Sequence, residues 1–293
     1  MNQPNCRVIA LANQKGGTGK TTTTVNLGVG LARQGKRVLL VDADPQGDLT
    51  TCLGWQNQDN LSATLATLME QAIRDEPVDV PTALLHHREG VDLLPSNIEL
   101  SAMEMALVTA MSREFALKEV LSQARNQYDY ILIDCMPSLG RWSPVETVQR
   151  RPSRQARQIT VNALAAADSV IIPVQAQYLP AKGMTQLLHT IGEVKRQINP
   201  NLRVDGVLLT LVDNRTNLAR QTVETLRNNY GSVLRIYQSQ IPLAVKAAEV
   251  SVVGKSIYAY DPSSKVAGAY ESFTKEVLYG EKQRIQSKPS LAR

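Results

Sequence analysis

Short, continuous apolar runs alternate with longer stretches of helical periodicity along most of the 293-residue chain. The apolar runs have the length and the β-branched content of buried strands, and they cover residues 7–12, 37–41, 91–94, 130–133, 170–174, 204–211 and 234–241. A helical pattern over residues 20–33 follows the first run and ends before Gly35. Because strands covered on both faces read as continuous hydrophobic runs, this alternation predicts a doubly wound, mostly parallel α/β sheet flanked by helices.

The composition is that of a folded domain. Hydrophobic residues make up 43% of the chain and charged residues 20%, which excludes disordered, collagen-like and coiled-coil classes. No apolar run approaches the roughly 18 residues that a bilayer-spanning helix needs, and residues 1–7 lack the apolar core of a signal peptide. We therefore expect a cytoplasmic protein. The cysteines at positions 6, 52 and 135 lie far apart, which favours neither a disulfide framework nor a zinc cluster.

One segment interrupts an otherwise continuous domain. No repeat or Gly/Ser linker divides the chain, so we predict a single domain over residues 1–280 and a polar tail over residues 281–293. Residues 141–158 (RWSPVETVQRRPSRQARQ) contain two prolines and five arginines against one glutamate, with no apolar periodicity. This segment contributes +4 of a net charge of +5, and we interpret it as a basic insertion.

A glycine-rich segment with two lysines joins the first predicted strand to the first helix: Lys15-Gly16-Gly17-Thr18-Gly19-Lys20-Thr21-Thr22. Glycines allow backbone N–H groups to converge on phosphate oxygens, and the helix N-terminus adds partial positive charge. We expect Lys20 to reach the β- and γ-phosphates of a nucleotide, Thr21 to ligate Mg²⁺ and Thr22 to contact the α-phosphate. A solvated glycine turn is the alternative, and the flanking strand and helix disfavour it.

The loop departs from the strict GxxxxGK[ST] pattern, because Gln14 occupies the first glycine position and Lys15 precedes the glycines. In this form KGGTGKTT resembles the deviant Walker A loop of the ParA/MinD superfamily of dimerising ATPases. Nearly the whole chain resembles its ParA (Soj-like) branch. The resemblance implies the P-loop NTPase fold, ATP and Mg²⁺ as cofactors, slow ATP hydrolysis and an ATP-bound homodimer. It also implies that Lys15 crosses the dimer interface to the phosphates held by the other subunit, where a positive charge stabilises phosphoryl transfer.

Three aspartates follow predicted strands, where open α/β sheets gather their ligands. Asp42 and Asp44 follow the second run, and Asp134 ends the sequence YILID. By the same resemblance, Asp44 orients the attacking water, Asp42 lies near Lys20 and the magnesium shell, and Asp134 is the Walker B carboxylate that holds Mg²⁺ through water. The alternative interpretation makes Asp42 a strand-ending cap and Asp44 a turn residue before Pro45.

The resemblance extends to a base pocket and a DNA-binding surface. Residues 210–217 (TLVDNRTN) are similar to a family segment whose aspartate lies near the adenine, which implies Asp213 and the Pro242 loop as pocket residues. Arg215 and Lys246 match positions that bind the DNA backbone without sequence preference. Too few residues precede the glycine-rich loop for a helix-turn-helix domain, so we expect a ParB-like partner to recognise specific DNA and to stimulate hydrolysis.

These features favour a DNA-partitioning ATPase located in the cytoplasm on the nucleoid. A MinD-like membrane-cycling regulator is the first alternative, although residues 287–293 are too polar for a membrane-binding helix and no stable membrane association is expected. An iron protein that bridges a cluster is a second alternative, and a nucleotide-binding protein with little turnover is a third. The insertion is either a tolerated surface loop or a contact that responds to ATP.

Overall fold

The computed structural model describes residues 6–109, 113–137, 158–176, 181–213, 215–244, 250 and 253–287. The strands are β1 (Arg7–Leu11), β2 (Val38–Ala43), β3 (Leu85–His87), β4 (Val91–Leu94), β5 (Tyr130–Cys135), β6 (Ser169–Gln175), β7 (Arg203–Val212) and β8 (Ile236–Pro242). They form a single eight-stranded sheet in the order β3-β4-β2-β5-β1-β6-β7-β8. β3 pairs antiparallel with β4, and the other neighbouring strands pair in parallel.

Helices connect the strands and cover both faces of the sheet. The helices are α1 (Lys20–Arg33), α2 (Asp48–Cys52), α3 (Leu65–Ile73), α4 (Val80–Ala83), α5 (Glu99–Thr109), α6 (Ala116–Ala124), α7 (Gln158–Ala166), α8 (Ala181–Gln197), α9 (Asn217–Tyr230), α10 (Ile257–Tyr260) and α11 (Lys265–Ser287). One-turn 3₁₀ helices lie at Gln58–Asn60 and Arg113–Phe115. No helix in these described residues is long and apolar enough to cross a lipid bilayer.

The core has two halves, one on each face of the sheet. Successive residues of β1 alternate between them: Val8 and Ala10 belong to the half that contains α3 to α9, whereas Ile9 and Leu11 belong to the half that contains α1, α2, α10 and α11. This alternation is the period of two that a strand imposes, with both faces buried. The predicted doubly wound, mostly parallel sheet is therefore confirmed.

The packing of α1 fixes the position of the glycine-rich loop that precedes it. A Cβ atom at Gly28 would lie 2.5 Å from Leu40 Cδ2, so α1 approaches β2 more closely than a side chain would allow. The helix begins at Lys20 and ends at Arg33, as the periodicity predicts. The N-terminus of α1 is thus held against the centre of the sheet.

The structure differs from the sequence predictions at the edges of the domain. β3 was not predicted, because a three-residue edge strand carries too few positions to show a pattern. Helix α11 continues to Ser287, so the first part of the predicted polar tail is helical. Of the predicted insertion, only Gln158 lies within the described residues, and it begins α7.

Candidate functional site

The strand order brings the predicted phosphate loop and aspartates to one edge of the sheet. β5 lies between β2 and β1, and Asp134 is in register with both Asp42 on β2 and Leu11 on β1. The carboxyl ends of parallel strands form the ligand-binding edge of open α/β sheets. The structure therefore brings together Asp42 and Asp134, which are about 90 positions apart in the chain.

Glycine is required in the loop between β1 and α1. Gly17 and Gly19 have φ angles of 69° and 77°, in the left-handed region that side chains disfavour. Gly19 is also the N-cap of α1, so the free backbone N–H groups of the first helical turn face the loop. The loop therefore has the conformation and the dipole of an anion-binding site.

Two polar residues outside the loop hold it in place. Thr210 at the end of β7 donates its hydroxyl to the Thr18 carbonyl at 2.8 Å. Asn13 donates its amide to the Pro173 carbonyl at 2.6 Å and accepts from the Lys15 backbone N–H at 3.1 Å. The sequence analysis gave neither residue a role in holding the loop, because Asn13 contacts Pro173 on β6 and Thr210 lies on β7, both far along the chain from the loop.

Lys20 is buried at the start of α1, with only 6% of its surface exposed. Its Nζ donates to the Lys15 carbonyl oxygen at 3.2 Å. Burial lowers the pKa of the Lys20 ammonium, while the neighbouring Asp134 carboxylate raises it. A buried cation beside a helix N-terminus suits a multiply charged anion.

Lys15, in contrast, is exposed. A Cβ at Gly183 of α8 would lie 3.9 Å from Lys15 Cγ and Cε, so the lysine lies beside α8 in this single chain. That Lys15 reaches the phosphates held by a second subunit stays a prediction. Thr21 and Thr22, in the first turn of α1, are both half-buried.

Asp42 and Asp134 form a buried pair of carboxylates, 0% and 1% exposed. Burial and then the charge of Asp134 raise the pKa of Asp42 to about 8. Burial raises the pKa of Asp134 to about 7, against the lowering effects of a hydrogen bond from the Thr21 side chain and of the Lys20 charge. Two carboxylates and a hydroxyl are oxygen ligands of the kind that Mg²⁺ prefers, and a divalent cation would favour the ionised forms.

The two carboxylates have different partners within the chain. Asp42 Oδ2 accepts from the Thr50 backbone N–H at 2.8 Å and from its hydroxyl at 2.7 Å, and Oδ1 accepts from the Asp44 N–H at 3.2 Å. Asp134 Oδ1 accepts from the Thr24 hydroxyl at 3.4 Å. Asp42 thus anchors the chain that leaves β2, as the cap interpretation expects, and Asp134 faces the start of α1.

Asp44 lies in a turn and is 7% exposed. Its Oδ1 accepts from the Gln46 N–H at 3.0 Å, and its carbonyl accepts from the Gly47 N–H at 2.9 Å. Burial raises the pKa of Asp44, while the Lys20 ammonium acts in the opposite direction. The turn interpretation therefore describes the local structure. The turn directly follows β2, so the same carboxylate lies at the sheet edge where Asp42 is in register with Asp134.

The aspartate pair predicts a pH-dependent stability. The folded pKa values of Asp42 and Asp134 lie above the 3.8 of an ordinary aspartate, so the folded state holds more protons between about pH 4 and 8. The free energy of unfolding should fall as the pH rises through this range. Asp134→Asn should reduce the fall by an amount on the order of 1–3 kcal/mol, measured by urea unfolding at several pH values.

Asp129→Asn is the matched control. Asp129 pairs with Arg37 on the surface, and the hydrogen bond from Arg37 lowers its pKa. Its loss should therefore affect stability only at acid pH and leave the decline between about pH 4 and 8 intact. A stability that rises with pH in the wild type would contradict the electrostatic description of the pair.

The predicted base-pocket residues lie at neighbouring strand ends. Val212 of β7 is in register with Pro242 of β8, and Asp213 directly follows β7. Thr210, three residues before Asp213, contacts the loop: a Cβ at Gly19 would lie 3.7 Å from its side chain. Asp213 and Pro242 are thus on the β7–β8 side of the phosphate loop.

The structure describes one of the two predicted DNA-binding residues, Arg215. Arg215 binds Asp213 through two parallel hydrogen bonds, Nε to Oδ1 at 2.9 Å and Nη2 to Oδ2 at 3.0 Å. The Arg215 side chain is 88% exposed, and this pairing lowers the pKa of Asp213. Lys246 lies outside the described residues.

The chain is similar to known proteins over nearly its whole length. A family profile described as "AAA domain" matches residues 6–146 and 151–204. The sporulation initiation inhibitor protein Soj of Bacillus subtilis is 42% identical over 92% of this chain and 98% of its own length. The chromosome-partitioning ATPase Soj of Thermus thermophilus is 40% identical over 93% of this chain and 95% of its own.

Solved structures share the fold over nearly the full length. The crystal structure of cobyrinic acid a,c-diamide synthase from Mycobacterium smegmatis, with bound ADP and magnesium, is 36% identical and has a TM-score of 0.77. The match covers 94% of this chain and 96% of that one. The cell division ATPase MinD of Pyrococcus furiosus, at 22% identity and a TM-score of 0.65, agrees in fold.

Proposed function

The chain belongs to the AAA-domain family and, within it, to the Soj/ParA chromosome-partitioning ATPases, and from this membership we propose that it binds MgATP, dimerises, attaches to DNA and is released by hydrolysis. The observation that carries the proposal is the buried Lys20 beside a glycine loop and a pair of buried aspartates. This set provides one cation for phosphates and oxygen ligands for a metal.

We assign ATP and Mg²⁺ as the cofactors. The Mycobacterium smegmatis neighbour was solved both with ADP and magnesium and with an ATP analogue and magnesium. In this chain Thr21 and Asp134 would hold the metal, with Asp42 behind them. Bound Mg²⁺ supplies neutralisation of the charge between the β- and γ-phosphates.

The chain's own residues would act in three ways. Backbone N–H groups of residues 16–22 bind the phosphates, and Lys20 adds the positive charge that orients them. Asp44 accepts a hydrogen bond from the attacking water and holds it in line with the γ-phosphate. Lys15 of each subunit leaves its position beside α8 and approaches the nucleotide of the other.

DNA attachment is the proposed output of the ATP-bound dimer. Arg215 would exchange its pairing with Asp213 for a DNA phosphate, and an ion pair this exposed costs little to break. Lys246 is proposed as the second cation. A few cations in each subunit suit weak, salt-sensitive binding without sequence preference, which would place the protein on the nucleoid. A ParB-like protein is the proposed partner that stimulates hydrolysis.

Three assays on the wild-type protein test the proposal. Light scattering with and without MgATP reports the dimer. Retention on a nonspecific duplex at two salt concentrations reports DNA binding. Vesicles of anionic lipid replace the duplex in a parallel assay. We expect an ATP-dependent dimer that binds the duplex and is lost from it as salt increases. A monomer saturated with ATP, or retention on vesicles alone, would refute the proposal.

A further inference from the structure

The carboxylate of Glu276, on α11, binds two consecutive backbone N–H groups of β8. Glu276 Oε2 accepts from the Gln238 N–H at 3.0 Å, and Oε1 accepts from the Ser239 N–H at 2.7 Å and from the Ser239 hydroxyl. Arg235 Nη2 lies 3.8 Å from Oε2 of the same carboxylate. Hydrogen bonds to an ionised carboxylate are stronger than those between neutral groups. A helix side chain is thus bonded to the main chain of a strand at the edge of the sheet.

The two N–H groups lie where β8 departs from regular pairing with β7. Val207 pairs with Ile236 and Leu209 pairs with Gln240, so four positions along β8 span two along β7. Extra residues in one strand leave backbone groups without a partner in the neighbouring strand. The carboxylate of Glu276 supplies an acceptor within this bulge. It therefore stabilises the bulge, and with it the register of the part of β8 that follows.

Aromatic packing places the carboxylate against the strand. Phe273, three residues before Glu276 on α11, contacts Tyr237 of β8 edge to face, with ring centroids 4.8 Å apart and an angle of 88° between the planes. Both rings are fully buried. Residues three apart on a helix lie on the same face, so the packing of Phe273 holds Glu276 towards β8.

The part of β8 after the bulge leads to the predicted base pocket. Pro242 is in register with Val212, and the Leu243 N–H donates to the Val212 carbonyl at 3.1 Å. On the β7 side, Thr210 is bonded to the phosphate loop through the Thr18 carbonyl. β8 is the last strand of the sheet, with β7 as its neighbour on one side. The contact with α11 is therefore what supports β8 in place of a second strand.

We propose that Glu276 is a positioning residue for the nucleotide base, which holds the bulge of β8 and thereby fixes Pro242 beside Asp213. The proposal rests on the proposed binding of ATP, with Asp213 and Pro242 as the base pocket. Glu276 itself touches neither base nor phosphate. Its loss weakens the contribution of the base to binding and leaves the phosphate contacts of Lys20 in place.

A purely structural role of Glu276 predicts a different result. A charged side chain at an edge strand also hinders pairing with a second chain. In that case its removal would lower stability or cause self-association, and it would affect all ligands of the phosphate loop alike. Inorganic triphosphate separates the two roles, because it has the phosphates of ATP and lacks the base.

The test measures the binding of MgATP and of magnesium triphosphate by isothermal titration. Glu276→Ala is compared with wild type and with the matched control Glu271→Ala, an exposed glutamate of the same helix that pairs with Lys275. For Glu276→Ala we expect a Kd for MgATP about tenfold higher and a Kd for triphosphate within about twofold of wild type. Glu271→Ala should match the wild type with both ligands. Unchanged binding of MgATP, or an equal loss for both ligands, would overturn the proposal.

Glu276→Gln keeps one acceptor oxygen and replaces the other with a donor. Its Kd for MgATP should lie between those of wild type and Glu276→Ala, and it takes the place of Glu276→Ala in the same titrations if the alanine variant does not fold. A Kd for MgATP equal to that of wild type would show that the second hydrogen bond is not needed, and would overturn the two-point contact on which the proposal depends.

A second measurement applies even if the wild type binds no MgATP, which would refute the proposed function alone. Amide hydrogen exchange at Gln238 and Ser239 should be at least about tenfold faster in Glu276→Ala than in wild type, because both N–H groups lose their acceptor. Exchange at Leu243 should also become faster as the end of β8 loosens. A wild-type rate at Leu243 would show that the bulge does not control the strand end, and would overturn the inference.

Discussion

Lys20→Ala is expected to abolish measurable binding of MgATP. The ammonium is the cation buried at the start of α1, and it lies within the influence of Asp134 and Asp44. At about 4 Å and an effective dielectric constant of about 20, one pair of opposite charges contributes about 4 kcal/mol, or nearly a thousandfold in affinity. Removal of Lys20 also leaves the aspartates to repel the phosphates. Isothermal titration with MgATP measures the loss.

Lys118→Ala is the matched control for this experiment. Lys118 is an exposed lysine of α6, and alanine is favourable in a helix, so the change removes the same charge away from the site. It should bind MgATP as the wild type does. Circular dichroism checks that Lys20→Ala folds. Lys20 also donates one hydrogen bond to the Lys15 carbonyl. Its replacement removes this single contact within the loop, so the loop should change only locally. An affinity of Lys20→Ala within about tenfold of wild type would exclude Lys20 as the phosphate-binding cation.

The central strands and the phosphate loop were predictable because their signals are local. The β1–loop–α1 unit is contiguous, so its apolar run, glycines and helical period lie within one short window. β4 was predicted with its observed bounds for the same reason. β3 was not, because three residues at the edge of a sheet show no period.

The hydrogen bonds that hold the site residues in place could not be predicted from the sequence, because they join distant segments of the chain. Thr50 holds Asp42, and Thr210 holds the loop through the Thr18 carbonyl. In the sequence both threonines are ordinary polar positions. The raised pKa values of Asp42 and Asp134 likewise follow from the placement of β5 beside β2, which the sequence does not reveal.

Asp44→Ala is expected to bind ATP and to dimerise, but to remain on DNA with hydrolysis slowed by at least about 100-fold, the usual contribution of a positioned acid–base group. Asp44 is near Lys20 but ligates neither phosphate nor metal in the proposed site, so binding should survive its removal. Phosphate release gives the rate. The lifetime of the protein on a nonspecific duplex in MgATP shows whether release requires hydrolysis.

Two further variants separate the chemistry of Asp44 from its structural role. Alanine also removes the acceptor for the Gln46 N–H, whereas Asp44→Asn keeps an oxygen there and should be equally slow if the carboxylate orients the water. Asp48→Asn removes an exposed charge nearby and should hydrolyse ATP at close to the wild-type rate. If Asp44→Ala turned over normally, a different group would have to orient the water. If both Asp44 variants were slow but left DNA as fast as the wild type, release would be independent of hydrolysis, and the cycle proposed for this protein would lose its driving step.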